Sequence, residues 1–327
     1  MRHAGAIICI AACALLAAIP AAAALRAATN GILAVEVQDT GADIGMFSIR
    51  TGAAHPVPLQ SVLYAVGTSY VTLRDNTAQE IWTNAGTIVN TDIAPYVFRS
   101  MQDAPAAALI ANLANGFRVT YALPNWTVQH DIVVSGAALA DTSVRHSITI
   151  TNTSPVTRSY GLRNLWDWDL AGIDALHFRT LNPLGVYTQT FVAFTVPAFQ
   201  AFEQVDDVAT PTFRTFGTVH GGPLAPTPPD RFGYVAWQDL FEAPWDTPII
   251  GDELDSATVY YWGFVSPLTL APGASATFTQ YASTAASAIG LSSDAAAEVP
   301  ALSGLALATL VVALLALASS RKARSEG

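Results

Sequence analysis

The sequence predicts an all-β protein: a large antiparallel β-sandwich with an N-terminal signal helix and a C-terminal transmembrane helix. Short runs of β-branched and aromatic residues, separated by Gly, Pro, Asn and Asp, fill residues 25–284. Only 12% of the 327 residues are charged, about half of the roughly 25% that is usual in soluble domains. Long apolar stretches lie at both ends of the chain.

The first 24 residues have the three parts of a secretory signal peptide. Arg2 and His3 form a short basic start, an apolar run follows over residues 4–19, and Ala22-Ala23-Ala24 provides small residues for cleavage. We therefore expect residues 1–24 to be a signal peptide, removed after about Ala24. An uncleaved anchor helix is the alternative.

The body over residues 25–284 has the pattern of short strands and turns that is typical of a sandwich. Apolar and polar residues alternate over residues 144–150, as in a strand with one buried face, and residues 152–155 follow as a turn. Four prolines within residues 221–229 predict a long surface loop inside the domain, with a domain boundary as the alternative. Residues 285–298 form an Ala/Ser-rich linker.

Several classes of function are disfavoured by composition. The net charge of -10 disfavours nucleic acid as a partner. Both cysteines, Cys9 and Cys13, lie in the signal segment, so the body has no disulfide and no cysteine metal ligand. The sequence contains no Gly-x-Ser-x-Gly elbow, no Gly-rich phosphate loop and no pair of histidines with zinc-ligand spacing.

The C-terminal segment, residues 299–327, begins with an uncharged stretch over residues 299–320. This stretch is long enough for a membrane-spanning helix, which needs about 17–25 residues. Arg321, Lys322 and Arg324 follow it at once. By the positive-inside rule, we expect the basic tail in the cytoplasm and the body on the other side of the membrane.

This tail resembles the C-terminal sorting signals of Gram-negative bacteria, of the PEP type and its Ile-Pro-Thr-Leu variant. The resemblance rests on Val299, Pro300, Leu302 and Ser303, followed by the apolar stretch and the basic cluster. It implies export across the inner membrane, recognition by an exosortase-like or related sorting enzyme, and anchoring or release to the cell surface or matrix. The motif departs from the usual form, because Val-Pro-Ala-Leu-Ser replaces Ile-Pro-Thr-Leu-Ser.

The body resembles two groups. The succession of Gly116–Tyr121, Trp126–Val134 and Val144–Asn152 is similar to the long strands of the galactose-mutarotase-like super-sandwich. The blocks Gly-Leu-Arg-x-Leu-Trp-Asp and Asp-Ser-Ala-x-x-Tyr-Tyr-Trp-Gly are similar to blocks in uncharacterised secreted proteins of bacteria and archaea. The mutarotase family requires a histidine where this chain has none between His146 and His177, so the resemblance implies the fold and not epimerase chemistry.

The candidate site is the block Trp166-Asp167-Trp168-Asp169, with Arg163 before it. On a strand the two aspartates share one face and the two tryptophans share the other. A carboxylate pair suits acid–base chemistry or Ca²⁺, and aromatic rings beside carboxylates suit the binding of a sugar. The alternative is structural: the tryptophans pack in the core and the aspartates pair with arginine or end the strand.

A second acidic cluster precedes a predicted strand and contains Asp252 and Asp255. Its carboxylates are candidate Ca²⁺ ligands, while a solvated acidic turn is the alternative. We expect Asp255, at the entrance to the strand, to meet Asp167 or Arg163.

The sequence thus favours an exported, non-catalytic binding or surface protein, with extracellular polysaccharide and the membrane as partners. One alternative is a carbohydrate-active enzyme that uses Asp167 with Asp169 or Asp255. The other is a purely structural surface protein.

Overall fold

The computed structural model describes residues 24–65, 68–86, 94–238, 245–246 and 255–291. They form a predominantly β structure. The first strands are β1 (Leu25–Thr29), β2 (Leu33–Gln38), β3 (Phe47–Thr51), β4 (Tyr70–Asp75), β5 (Glu80–Thr83), β6 (Val97–Ser100) and β7 (Leu109–Leu113). The next are β8 (Gly116–Ala122), β9 (Trp126–Ser135), β10 (Ser143–Asn152), β11 (Arg158–Asp167), β12 (His177–Leu181) and β13 (Val192–Thr195). The last are β14 (Ala201–Val205), β15 (Arg214–Thr218), β16 (Arg231–Ala236), β17 (Ser256–Trp262), β18 (Leu268–Leu270) and β19 (Ser275–Ser283).

Helical structure within the described ranges consists chiefly of three 3₁₀ turns, Met101–Asp103, Leu139–Asp141 and Ala286–Ile289. None of the helices in the described part of the chain has the length and apolarity to cross a bilayer. The predicted signal helix, except Ala24, and the predicted membrane span at residues 299–320 lie outside the described residues.

The first large sheet, called sheet I, has the strand order β12-β14-β15-β19-β10-β9-β8-β7. Its centre is the β9–β10 hairpin, whose register runs from Trp126 opposite Asn152 to Ser135 opposite Ser143. In both strands buried and partly exposed residues alternate, because one face of sheet I packs on the core while the other faces solvent. The alternation predicted over residues 144–150 is therefore confirmed.

The second large sheet, sheet II, has the order β13-β16-β17-β11-β4-β5-β6, and β18 also pairs with β11. Its pairs are antiparallel except β5–β6, which is parallel. The central strand β11 is buried at every residue from Tyr160 to Asp167. This strand is buried because both faces of sheet II are covered.

A single large core cluster joins the inward faces of the two sheets. It contains Trp126 and Ile148 of sheet I and Leu162 and Trp166 of sheet II. A three-stranded sheet, β1-β2-β3, adds Phe47 and other apolar residues to the same cluster. The all-β, antiparallel character predicted from sequence is confirmed, and the packing is that of a β-sandwich.

A second apolar cluster covers the outer face of sheet II. Leu165, Val259 and Tyr261 project from its strands and pack with Met46 and Trp245. This covered outer face carries the candidate site.

The segment Trp126–Val134, which resembles a long strand of the super-sandwich, lies within β9. Ser61 and Leu63 lie outside the named strands and make isolated bridges to Arg50 and Trp168. The proline-rich segment 221–229 lies between β15 of sheet I and β16 of sheet II, so it belongs to a connection between the sheets.

Candidate functional site

The tryptophans of the predicted site lie in the core. The side chains of Trp166 and Trp168 are both 0% exposed. The Trp166 ring centroid is 4.9 Å from those of His146 and Tyr260, and the indole N–H of Trp168 donates to Thr258 Oγ1 at 2.8 Å. Neither ring offers a face to a sugar in this fold. The prediction that they stack on a ligand is corrected in favour of the structural alternative, because Trp166, on β11, and Trp168, directly after it, both belong to the core cluster between the sheets.

Arg163 projects from the opposite face of β11 and is also buried, with 1% exposure. One of its terminal nitrogens donates to Tyr70 Oη at 3.3 Å and to Thr72 Oγ1 at 3.2 Å, and the other donates to the Trp245 carbonyl at 3.3 Å. A buried guanidinium needs such partners, since its desolvation is costly. Arg163 therefore ties β11 to β4 and to the segment that covers sheet II.

Three aspartates meet where strands of sheet II end. Asp167 is the last residue of β11, and Asp255 immediately precedes β17. Because these two strands are antiparallel neighbours, with Asp167 opposite Ala257, both aspartates lie at the same edge. Asp174 joins them because its carbonyl oxygen accepts hydrogen bonds from the backbone N–H and the hydroxyl of Ser256, at 3.2 and 2.6 Å.

These carboxyl groups border a cavity of about 180 Å³, which we call the acidic cavity. Its lining consists of Tyr64, Thr68, Asp167, Asp174, Trp237 and Asp255. Trp237 follows β16, and its backbone N–H donates to the Asp255 carbonyl at 2.9 Å. Its indole N–H donates to the Thr68 carbonyl at 3.0 Å, which fixes the ring beside the cavity. Tyr64 donates its backbone N–H to the Asp167 carbonyl at 2.9 Å and is 42% exposed.

Asp167 has the most perturbed environment of the cavity carboxyls. The residue is only 2% exposed, and its Oδ1 has no hydrogen-bond partner among the described residues. Burial raises its pKa well above the usual value of a carboxyl, and the nearby charge of Asp255 raises it further, with smaller contributions from Asp174 and Asp169. A hydrogen bond with Thr68 acts in the opposite direction. Burial and the neighbouring negative charges therefore disfavour the charged form of Asp167 relative to an exposed aspartate.

Asp174 is affected in the same sense. Burial raises its pKa, and so does the charge of Asp169. The Oδ1 atom of Asp174 also has no hydrogen-bond partner within the described ranges. Two carboxyl groups of the acidic cavity, those of Asp167 and Asp174, thus each have an oxygen without a hydrogen-bond partner among the described residues.

Asp169 does not line the acidic cavity. It borders a neighbouring groove of about 560 Å³, and Tyr64 lies on the wall of both. Its Oδ1 accepts the backbone N–H of Gly172 at 2.5 Å, so this carboxylate stabilises the turn that follows β11. The structure therefore brings Asp167 together with Asp255, and it assigns Asp169 to a separate surface.

Four lining residues were not predicted as site residues: Tyr64, Thr68, Asp174 and Trp237. Asp174 follows the Trp/Asp block closely in the chain, and that proximity was the available signal. Tyr64 and Trp237 carry no local signal, since hydrogen bonds to distant parts of the backbone bring them to the cavity.

The predicted calcium ligands are only partly described. Asp252 lies outside the described residues, while Asp255 lies in the acidic cavity. The described ranges contain no group of three or more His, Cys, Asp or Glu residues arranged to hold a metal ion. Calcium at Asp252 and Asp255 remains a prediction.

No protein-family model matches the chain, and no curated protein matches its sequence. The similar solved structures include a galactose mutarotase-like protein from Lactobacillus casei ATCC 334, with 9% identity, a TM-score of 0.47 and coverage of 80% of this chain and 99% of that one. A candidate aldose 1-epimerase from Escherichia coli K12 has 9% identity, a TM-score of 0.44 and coverage of 79% and 97%. The Slr1438 protein from Synechocystis sp. PCC 6803 has 9% identity, a TM-score of 0.43 and coverage of 80% and 96%. At this level the similarities assign neither a family nor an activity to the chain.

Proposed function

We propose that the chain is an exported β-sandwich protein that binds carbohydrate, without catalysis, in the acidic cavity. The observation that carries the proposal is the Asp167 carboxyl, which is buried at the cavity and has an oxygen without a hydrogen-bond partner among the described residues. An unpaired buried polar atom costs free energy, so such an atom beside a cavity indicates a place where a ligand supplies the missing partner.

The size and lining of the cavity support a sugar. A volume of about 180 Å³ corresponds to about six water molecules at about 30 Å³ each. Sites that enclose drug-sized ligands have volumes of about 300–1,000 Å³. The acidic cavity is smaller, and its volume suits a single sugar unit. Carboxylates accept hydrogen bonds from hydroxyl groups, and the rings of Trp237 and Tyr64 supply apolar contact area with a polar tip.

Calorimetric titration of the full chain with a panel of neutral and amino oligosaccharides tests the proposal. The Asp174→Asn variant is expected to lose about tenfold or more in affinity, as for one hydrogen bond to a charged group. Asp103→Asn is the matched control, because it removes one exposed carboxylate from the 3₁₀ turn at residues 101–103, outside the cavity lining. Absence of binding to every sugar, or equal affinity in Asp174→Asn, contradicts the proposal.

A second candidate is a carbohydrate-active enzyme in which Asp167 is the general acid. The specific observation is the raised pKa of Asp167 beside Asp255, since acid–base pairs in enzymes arise where environments separate two carboxyl pKa values. The test is release of reducing ends from oligosaccharides. Turnover by the native chain that is lost in Asp167→Asn, with binding retained, favours the enzyme. Binding without turnover favours the non-catalytic protein.

Export and anchoring are part of the proposal and rest on the sequence of the two ends. We propose that residues 1–24 direct export and that residues 299–327 anchor the body or are cleaved by an exosortase-like enzyme. Membrane fractionation and N-terminal sequencing of the mature protein test this. A mature N-terminus near Leu25 in the membrane or extracellular fraction is expected. A cytoplasmic protein that retains Met1 contradicts it.

A further inference from the structure

The acidic cavity is surrounded by chain segments without fixed positive charge. Its lining contains three aspartates and, among the described residues, no lysine or arginine. The three segments that supply the lining extend this pattern. The sequence has no lysine or arginine between Arg50 and Arg74, between Arg163 and Arg179, or between Arg231 and Arg321. The cations available to other carboxylates of the protein are therefore absent from these segments.

Elsewhere in the same fold, buried carboxylates are paired with arginine. Glu203, which is 0% exposed, binds Arg179 and Arg214. Asp75, also 0% exposed, binds Arg158 at 2.8 Å. Buried charges are normally paired in this way. Asp167 differs, because its Oδ1 has no hydrogen-bond partner within the described ranges, and the neighbouring charges that raise its pKa are those of other carboxylates.

The aromatic residues of the cavity also favour a positively charged ligand. The Trp237 ring is fixed by its indole hydrogen bond to Thr68, and Tyr64 is partly open to solvent. The faces of tryptophan and tyrosine rings attract cations when these lie within about 6 Å. Carboxylates and aromatic rings around one small space are both favourable to a positive ligand.

We propose that the ligand of the acidic cavity carries a positive charge, and that it is an amino sugar with a free primary ammonium group. This inference rests on the proposed carbohydrate-binding function and specifies its ligand. An ammonium group has three N–H donors and no acceptor, which matches the Oδ1 atoms of Asp167 and Asp174, both without a hydrogen-bond partner among the described residues. Its charge relieves the repulsion among them. An N-acetylated sugar lacks that charge.

The decisive comparison uses two ligands that differ only in acetylation. The full chain is titrated with oligomers of glucosamine and with N-acetylglucosamine oligomers of the same length, at pH 7. The amino oligomer is expected to bind at least about tenfold more tightly, the difference made by one charge-assisted hydrogen bond. The preference should weaken with added salt, disappear in Asp174→Asn and persist in Asp103→Asn.

The outcomes separate this inference from the proposed function. Equal affinity for both oligomers overturns the amino-sugar inference and leaves carbohydrate binding standing. Binding of neither oligomer or of any other sugar overturns both. Complete displacement of the amino oligomer by calcium chloride at an ionic strength where sodium chloride has no effect assigns the carboxylates to a metal ion, and this also overturns the inference.

A second readout concerns the proton of Asp167. Because burial raises the pKa of Asp167, an ammonium group that binds against this carboxyl lowers that pKa again and promotes release of its proton to the buffer. The binding enthalpy should therefore depend on the ionisation enthalpy of the buffer, and this dependence should vanish in Asp167→Asn. A binding enthalpy that is identical in all buffers contradicts contact between the ammonium group and Asp167.

Discussion

Acidification is expected to destabilise the protein through a pair of histidines in the core. His130 and His146 are 1% and 0% exposed, and His130 Nε2 lies 3.2 Å from His146 Nδ1. Phe47 and Trp166 pack on the pair. Burial lowers the pKa of His130 from 6.5 to about 3, although the charge of Asp131 acts to raise it. Burial also lowers the pKa of His146 well below 6.5, and the charge of His130 adds to this effect.

The lowered pKa values of the two histidines mean that acid destabilises the folded state. A histidine whose pKa is lower in the folded state binds protons more readily when the chain is unfolded, so the folding free energy is lost as the pH falls below about 6.5. For His130, a native pKa of about 3 against 6.5 gives a loss of about 2 kcal/mol between pH 7 and pH 5. The slope approaches about 1.4 kcal/mol per pH unit for each histidine that the unfolded chain protonates.

Urea unfolding at pH 7, 6 and 5 measures this loss. In His130→Gln and in His146→Gln the decrease in unfolding free energy between pH 7 and pH 5 should be smaller than in the native chain, by about 2 kcal/mol for His130. Ile132→Val is the control in the same strand: it should cost about 0.5–1.5 kcal/mol at every pH and leave the slope unchanged. Slopes in both glutamine variants equal to that of the native chain would refute the reasoning.

Three further predictions concern the core, the buried ion cluster and the cavity. Trp166→Ala should lower the unfolding free energy by about 3–5 kcal/mol, while Trp166→Phe should cost less; a loss below about 1 kcal/mol in urea unfolding would contradict its place in the core. Glu203→Gln should lower the unfolding free energy by about 3–5 kcal/mol, because it leaves the guanidinium of Arg179, which is 3% exposed, without its carboxylate. The matched variant Glu36→Gln removes the carboxylate of a more exposed pair and should cost about 0–1 kcal/mol. Equal losses in the two variants would contradict the distinction between buried and exposed pairs. Asp167→Asn should become more stable than the native chain as the pH increases above about 4. The reason is that a carboxyl whose pKa is raised by folding contributes stability that is lost at higher pH. A difference in melting temperature between variant and native chain that is the same at pH 4 and pH 8 would count against this prediction.

The alternation of apolar and polar residues in the sequence predicts strands well where one face of a sheet is exposed to solvent. The strands β9 and β10 could be predicted because their side chains alternate between the core and water. The strand β11 has both faces covered, so its alternation does not reveal which face lies between the sheets. For this reason the sequence left two interpretations of Trp166 and Trp168 open, and the packing of sheet II on sheet I selected the core.

The acidic cavity could be predicted only in part. The sequence led to the expectation that Asp255 meets Asp167 or Arg163, and the antiparallel pairing of β11 with β17 brings Asp255 to Asp167. Trp237 and Tyr64 reach the cavity through backbone contacts with residues far away in the chain. No periodicity in their own segments indicates this position.

Two properties follow from the amino-acid sequence alone: the strand-rich, antiparallel character of the body and the absence of lysine and arginine from the segments around the cavity. Both are properties of composition and of residue spacing along one strand. Packing between distant segments buries the tryptophans, places Asp167 and Asp169 at different spaces, and raises the pKa of the Asp167 carboxyl. These properties depend on desolvation and on charges brought close through space, and the contacts that produce them join residues distant in the chain.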